Sequence, residues 1–399
     1  MSTSSSPKLF QPIKIGRMTL QHRLALSPLT RFRADEGHTP ILPIAQNYYT
    51  QRASTPGTLL ITEATLVGAK AGGTNNIPGI WSDTQIAAWK EITTSVHARG
   101  SFIYLQMWGL GRAALQDVLS AEGLDYVSAS DEYVQLFAKA ASNAVHLAGF
   151  DGVEIHGANG YLIDQFFQDV SNKRTDQYGG SPENRARFAL EVLEAVSKEI
   201  GEDRTAVRIS PWSRFQEMGM TNPKPTYSYF VSQLKERLPN LAYLHAIEPR
   251  VADGKDIGLR PVADGEGKGN THVEEENNFL RRIWSPKPFI SAGGYTRDLA
   301  LKAAEHGDIV AIGRYFLANP DLPLRWKDDL PLNTYDRSTF YVPGDASGKG
   351  YSDYPFIDGT TRLPPVVAAT APLPHPMGEV SSGKSSMPSL HDNGVNCMA

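Results

Sequence analysis

A chain of 399 residues with 41% hydrophobic and 21% charged side chains carries enough apolar material for a sizeable core; its net charge of −4, with no basic block, argues against nucleic acid or an anionic membrane as partner. Its one cysteine, Cys397, permits no internal disulfide. Met1–Ser6 lack the basic-then-apolar order of a secretion signal and no apolar run is long enough to span a bilayer, so the expectation is a cytoplasmic protein.

Along the chain, short apolar runs alternate with amphipathic patterns. Arg23–Thr30 and Thr58–Thr65 read as the first two strands. Ser82-Asp83-Thr84-Gln85 has the form of a capping box, opening a helix with Ile86, Trp89 and Val96 on one side and Gly100 as its stop. A third strand, Phe102–Trp108, precedes a helix expected over Glu132–Leu147 with Asp131 as its N-cap. The fourth strand is Gly152–His156, and Ser181 followed by Pro182 starts a helix to about Ile200. Strands Ala206–Pro211, Leu241–Ile247, Pro288–Gly293 and Asp308–Gly313 complete the set, with helices over Tyr227–Leu238 and Thr296–His306.

Continuous apolar runs of this length suit strands buried on both faces of a parallel sheet. Their alternation with helices predicts an α/β protein with a single (β/α)8 barrel over residues 1–357. A doubly wound open sheet is the rival, but no G-x-G-x-x-G turn is present. Two regions stand outside the pattern. Val251–Asn278 is long, charged and glycine-rich, and reads as a lid or partly mobile loop. Residues 358–399 form a low-complexity segment expected to be a disordered tail.

A barrel of this kind carries its site at the C-terminal ends of its strands. Those ends hold Thr30, Gln106, Trp108, His156, Arg208, Gly293-Gly294 and Gly313-Arg314, with Asn159 and Tyr161 just beyond His156. Alternation places Val153 and Ile155 toward the helices and Glu154 and His156 toward the barrel mouth. Arg208 and Ser210 face inward by the same rule, so Arg208 is also able to pair with Glu154. His156 and Asn159 can both donate to one oxygen, and Tyr161, with a solution pKa near ~10, holds a proton to give. Two donors and a proton source suit the reduction of a polarised double bond. Gly293-Gly294 alone reads as a tight turn; joined by Gly313-Arg314, it reads as a phosphate site. A metal hydrolase using His156 and acids such as Glu63 is a different class of reading, but no HxH or HExxH spacing supports it, and no metal is expected.

Several motifs in order resemble the Old Yellow Enzyme family of FMN-dependent ene-reductases, its fungal members above all. They are Leu9-Phe10-Gln11-Pro12, Leu29–Ala34, Ile61–Thr65, Gln106-Met107-Trp108, His156–Phe166, Tyr178–Ser181, Glu183–Phe188, Gly313–Phe316, Asn319–Leu322, Tyr335-Asp336-Arg337 and Asp353-Tyr354-Pro355. The resemblance implies FMN as a tightly held, non-covalent cofactor, NADPH as reductant and a monomer or homodimer. It implies that Thr30, Ala64, Gln106 and Arg208 hold the flavin ring and that Gly293, Gly294, Gly313 and Arg314 hold the phosphate. Trp108 and Tyr341 would line the substrate pocket. His156 and Asn159 would bind the carbonyl oxygen of an unsaturated ketone or aldehyde, hydride would reach its β-carbon from flavin N5, and Tyr161 would protonate the α-carbon. The ergot-alkaloid-type aldehyde reductases are a sub-class within that reading.

The chain departs from the family at one place. Asp131 runs straight into Glu132 where the family carries roughly twenty further residues, by that resemblance. The shortened loop lies beside the strand of Gln106 and Trp108, so a catalytically impaired flavin-binding relative is the second reading.

Overall fold

The computed structural model describes residues 6–125, 130–252, 255–256 and 276–363. Eight parallel strands close into a barrel: β1 Leu24–Leu26, β2 Leu59–Ile61, β3 Phe102–Trp108, β4 Gly152–Gly157, β5 Thr205–Ile209, β6 Tyr243–Ile247, β7 Phe289–Ala292 and β8 Ile309–Ile312. Each pairs with its sequence neighbours, and β8 pairs back onto β1 with Ala311 opposite Ala25. The expected (β/α)8 barrel is the observed fold.

Two apolar layers hold it. Outward-facing Leu24, Leu60, Ile103, Leu105, Val153, Ile155, Val207, Leu244 and Val310 pack under the helices. Inward-facing Ala25, Ile61, Tyr104, Ala206, Tyr243, Ile290 and Ile309 fill the lower barrel. Beneath them a hairpin, Ile13–Ile15 paired with Met18–Leu20, adds Ile15, Met18 and Leu20 to that cluster. The upper end is left to polar side chains, and the site lies there.

The strands are shorter than their apolar runs, for local reasons. β1 stops early because Ser27 N–H makes a last bond to Ile312 O, 3.0 Å, and Pro28 has no N–H to continue. β2 ends as Glu63 N–H turns to the Tyr49 hydroxyl at 3.0 Å; Thr65–Leu66 then re-pairs with Met107–Trp108.

The helices that follow the eight strands are α1 Ile44–Arg52, α2 Asp83–His97, α3 Ser130–Ser142, α4 Pro182–Ile200, α5 Lys224–Arg237, α6 Asn278–Trp284, α7 Arg297–Glu305 and α8 Arg314–Ala318; short additional helices cover Gln116–Ala121, Leu162–Phe167 and Leu322–Lys327. Ser82 and Gln85 form the expected reciprocal capping box of α2, and Ser181 accepts from Asn184 N–H ahead of Pro182 in α4. Asp131 is not an N-cap: α3 starts at Ser130, so Asp131 sits in its first turn. That helix closes through a π-helical turn, Asn143–Leu147. α5 begins a turn earlier than expected because Pro223 and Lys224-Pro225 supply its start.

Most of the expected lid, 253–254 and 257–275, and residues 364–399 of the expected tail lie outside the described residues. The chain just before them is packed: Gln51 Nε2 donates to Thr361 O at 3.3 Å, and Phe356 N–H to Thr360 O at 2.8 Å. No helix among the described residues is long and apolar enough to cross a membrane.

Candidate active site

The polar strand ends enclose one cavity of about 830 Å³, near the upper end of the roughly 300–1,000 Å³ range of small-molecule sites. Thr30, Gln106, Trp108, His156, Asn159, Tyr161, Arg208, Gly293, Gly294, Gly313, Arg314 and Tyr341 all line it. Of the expected site residues only Ala64 is not among the lining residues; it is buried against Trp108 and Leu66.

β4 and the turn after it supply one wall. His156 is buried, and its Nδ1 accepts from Ala158 N–H at 3.3 Å, so the ring proton of the neutral form sits on Nε2. Burial first, and the Arg208 charge second, hold its pKa well below the usual histidine value, so the ring is neutral at pH 7. Asn159 adopts φ 57°, a left-handed conformation that asparagine tolerates better than most residues. Its N–H donates to Ser210 Oγ at 2.8 Å, which ties the turn to β5.

Tyr161 stands edge-on to both Trp108 and His156, with ring centroids 4.6 Å and 5.2 Å away. Burial pushes its hydroxyl up to about 12, although a hydrogen bond with the Gln216 side chain acts in the opposite sense. It is a protonated phenol throughout the neutral range.

Asp164 holds this turn from below. Its carboxylate accepts from Gly160 N–H at 2.8 Å, from the Tyr227 hydroxyl at 2.8 Å and from Gln168 Nε2 at 3.2 Å. Burial raises its pKa to about 6 despite those donors. Asp164 follows Gly160 by four residues, a local spacing from which its role as an anchor could have been read. Gln216 carried no such signal: it arrives on the loop after β5, with φ 55° and ψ 42°.

Glu63 is not among the residues that line the cavity. Its Oε2 accepts from Arg31 N–H at 3.0 Å and Phe32 N–H at 3.2 Å, fixing the segment that carries Thr30. The Arg31 guanidinium in turn donates to Phe340 O, Thr339 O and Gly350 O, which holds the segment bearing Tyr341. Tyr341 is 60% exposed and stands at the cavity rim, edge-on to Phe32.

The inward orientation of Glu154 and Arg208 is as expected, but Glu154 takes other hydrogen-bond partners. Gln106 Nε2 donates to its Oε1 at 2.7 Å and His245 Nδ1 to its Oε2 at 2.8 Å. Arg208 Nε is buried beside the cavity without a hydrogen-bond partner among the described residues. At the end of β7, Gly293 and Gly294 have φ 115° and 57°, conformations that only glycine adopts freely.

The sequence model of the NADH:flavin oxidoreductase / NADH oxidase family matches residues 8–135 and 129–333. The chain belongs to that family. The two matched pieces overlap over residues 129–135, across the Asp131–Glu132 junction. Old Yellow Enzyme from Pichia sp. AKU4542 superposes with a TM-score of 0.78 at 35% identity, covering 93% of this chain and 99% of that one, and the chain is a member of the Old Yellow Enzyme family. Chanoclavine-I aldehyde reductase fgaOx3 of Penicillium roqueforti is 50% identical over 88% of this chain and 96% of its own length. NADP-dependent oxidoreductase lnbE of Aspergillus flavus is 47% identical over 90% and 99%. A protein of Epichloe festucae var. lolii named "Probable inactive reductase easA" is 45% identical over 90% and 97%.

A flavoprotein oxidoreductase of this family needs a flavin site, and these residues fit one. An orphaned arginine nitrogen, the Gln106 amide and a pair of positive-φ glycines face a single cavity.

Proposed function

We propose that this chain is an NADPH-dependent, FMN-containing reductase of C=C bonds conjugated to a carbonyl group, with an unsaturated aldehyde of the ergot-alkaloid type as its substrate class. The observation that carries the reading is the placement of neutral His156, Asn159 and protonated Tyr161 on one wall of the cavity. FMN, when bound, supplies the hydride acceptor and donor. Thr30, Gln106 and Arg208 are the residues that would hold its ring, and Gly293, Gly294, Gly313 and Arg314 its phosphate.

His156 Nε2–H and the Asn159 side-chain amide are both donors for the substrate's carbonyl oxygen. They stabilise the negative charge that gathers on that oxygen as the β-carbon is reduced. Tyr161 then gives its phenolic proton to the α-carbon, and its raised pKa keeps that proton in place until a carbanion-like centre calls for it. The names of two relatives, an aldehyde reductase and an NADP-dependent oxidoreductase, support the choices of substrate and reductant.

A second reading is a flavin-binding relative without efficient turnover, supported by the split family match at residues 129–135 and by the relative named inactive. An anaerobic absorbance experiment separates the two. Purified yellow protein should bleach with NADPH and regain its colour when cyclohexenone is added, with saturated ketone formed. Bleaching without recovery would favour the impaired relative, and a protein that stays colourless with added FMN would sink the flavin assignment.

A further inference from the structure

The barrel interior is apolar below the site, yet one full carboxylate is buried just under the cavity. Glu154 is 0% exposed, as is His245, and Gln106 is 2% exposed. The register sets Gln106 opposite Glu154 across β3 and β4, and Arg208 opposite His245 across β5 and β6. Each carboxylate oxygen receives one donor, Gln106 Nε2 at 2.7 Å and His245 Nδ1 at 2.8 Å. An ionised carboxylate in such a place is costly unless its oxygens are satisfied, so this arrangement calls for a use.

Its consequence falls on Gln106. A glutamine amide presents an acceptor on one side and two donors on the other, and its surroundings decide which is which. A carboxylate can only accept, so it captures the NH₂ end of Gln106. One N–H is spent on that bond, so the carbonyl oxygen, with the second N–H beside it, is left for the cavity that Gln106 lines. His245 Nδ1 holds the other oxygen and keeps the carboxylate from swinging away.

We infer that Glu154, steadied by His245, is a positioning residue that locks Gln106 with its carbonyl oxygen toward the cavity, so that the site selects a ring edge bearing an N–H group. The inference rests on the proposed flavin site. Oxidised isoalloxazine has one N–H, at N3, and a locked acceptor at Gln106 recognises it while rejecting an N3-alkylated ring. With Gln at position 154 the lock opens, because a neutral amide can donate as well as accept and Gln106 is free to turn over.

The test uses the full chain stripped of flavin and compares FMN with 3-methyl-FMN by quenching of flavin fluorescence. The unmodified protein should bind FMN about tenfold more tightly than its 3-methyl analogue, the effect of one buried hydrogen bond and the group left unpaired. Glu154→Gln should weaken FMN binding and reduce the preference to within about twofold, with an unchanged circular dichroism spectrum. Glu154→Asp, which keeps the charge but withdraws it by one methylene, should also lose the preference and serves if the first variant does not fold. A tenfold preference retained in both variants overturns the lock while leaving the flavin site standing. An unmodified protein that binds neither flavin overturns both.

Discussion

At the scale of single residues, the chemistry of the proposed reaction concentrates in Tyr161. Its hydroxyl is pushed up to about 12 by burial, and it is packed edge-on against Trp108 and His156, so a phenylalanine can take its place with little change in packing. Tyr161→Phe should therefore slow reduction of the alkene by about 10²–10⁴-fold, the usual contribution of a positioned acid, while reduction of the bound flavin by NADPH keeps its rate. Stopped-flow measurement of the two half-reactions checks this, and equal losses in both would remove Tyr161 as proton donor. His156, Asn159 and Tyr161 were legible in the sequence because six consecutive positions deliver them at the end of one strand. The Gln106–Glu154–His245 cluster was not, since its members are 48 and 91 residues apart and meet only when β3, β4 and β6 close into a barrel. Glu154 was read as facing inward, but alternation states a direction and names no partner.

At the scale of elements, alternation and capping signals located every barrel strand and the helices α2, α3, α4, α5 and α7, whereas α1, α6, α8 and the loops needed the structure. Pro28 shows why the ends move: an apolar run continues past the point where the ladder runs out of N–H donors. The loop after β5 had no sequence signature, yet it brings Phe215 and Gln216 to the cavity in an unusual conformation. Gln216 and Glu217 both have positive φ, 55° and 64°, a strain of roughly 1–2 kcal/mol for each residue with a Cβ. Arg112 reaches across to hold it, donating to Gln216 O at 2.9 Å and lying 3.4 Å from the Glu217 carboxylate. The ion pair is exposed and contributes little. Glu217→Gly should thus raise stability by up to about 1 kcal/mol, relief of strain minus the entropy glycine adds to the unfolded chain. A urea titration reads this directly, and a loss of stability would mean that the Arg112–Glu217 pair outweighs the strain.

At the scale of the whole molecule, two sets of buried titrating groups oppose each other between pH 7 and 4. Burial lowers the pKa of His22 to about 4 and depresses those of His156 and His245. The unfolded chain takes up their protons near pH 6.5 before the folded one does, so these groups remove stability as pH falls below that value. Buried carboxyls act in the other direction. Glu63 is raised by burial to about 7 and Asp164 to about 6. Between its folded and unfolded values Glu63 is protonated in the folded chain and ionised in the unfolded one, so it adds stability as pH falls from about 7 to 4.5. The separation corresponds to on the order of 3 kcal/mol for a group this deeply buried. Glu63→Gln removes that contribution while keeping a carbonyl oxygen to accept from Arg31 and Phe32 N–H. The variant should accordingly melt higher than the unmodified protein at pH 8 and lose that advantage by pH 4.5, its melting temperature falling more steeply with acid. Melting profiles that run parallel over that range would place the Glu63 carboxyl at an ordinary pKa, and the acid balance of the barrel would then rest on its histidines and Asp164.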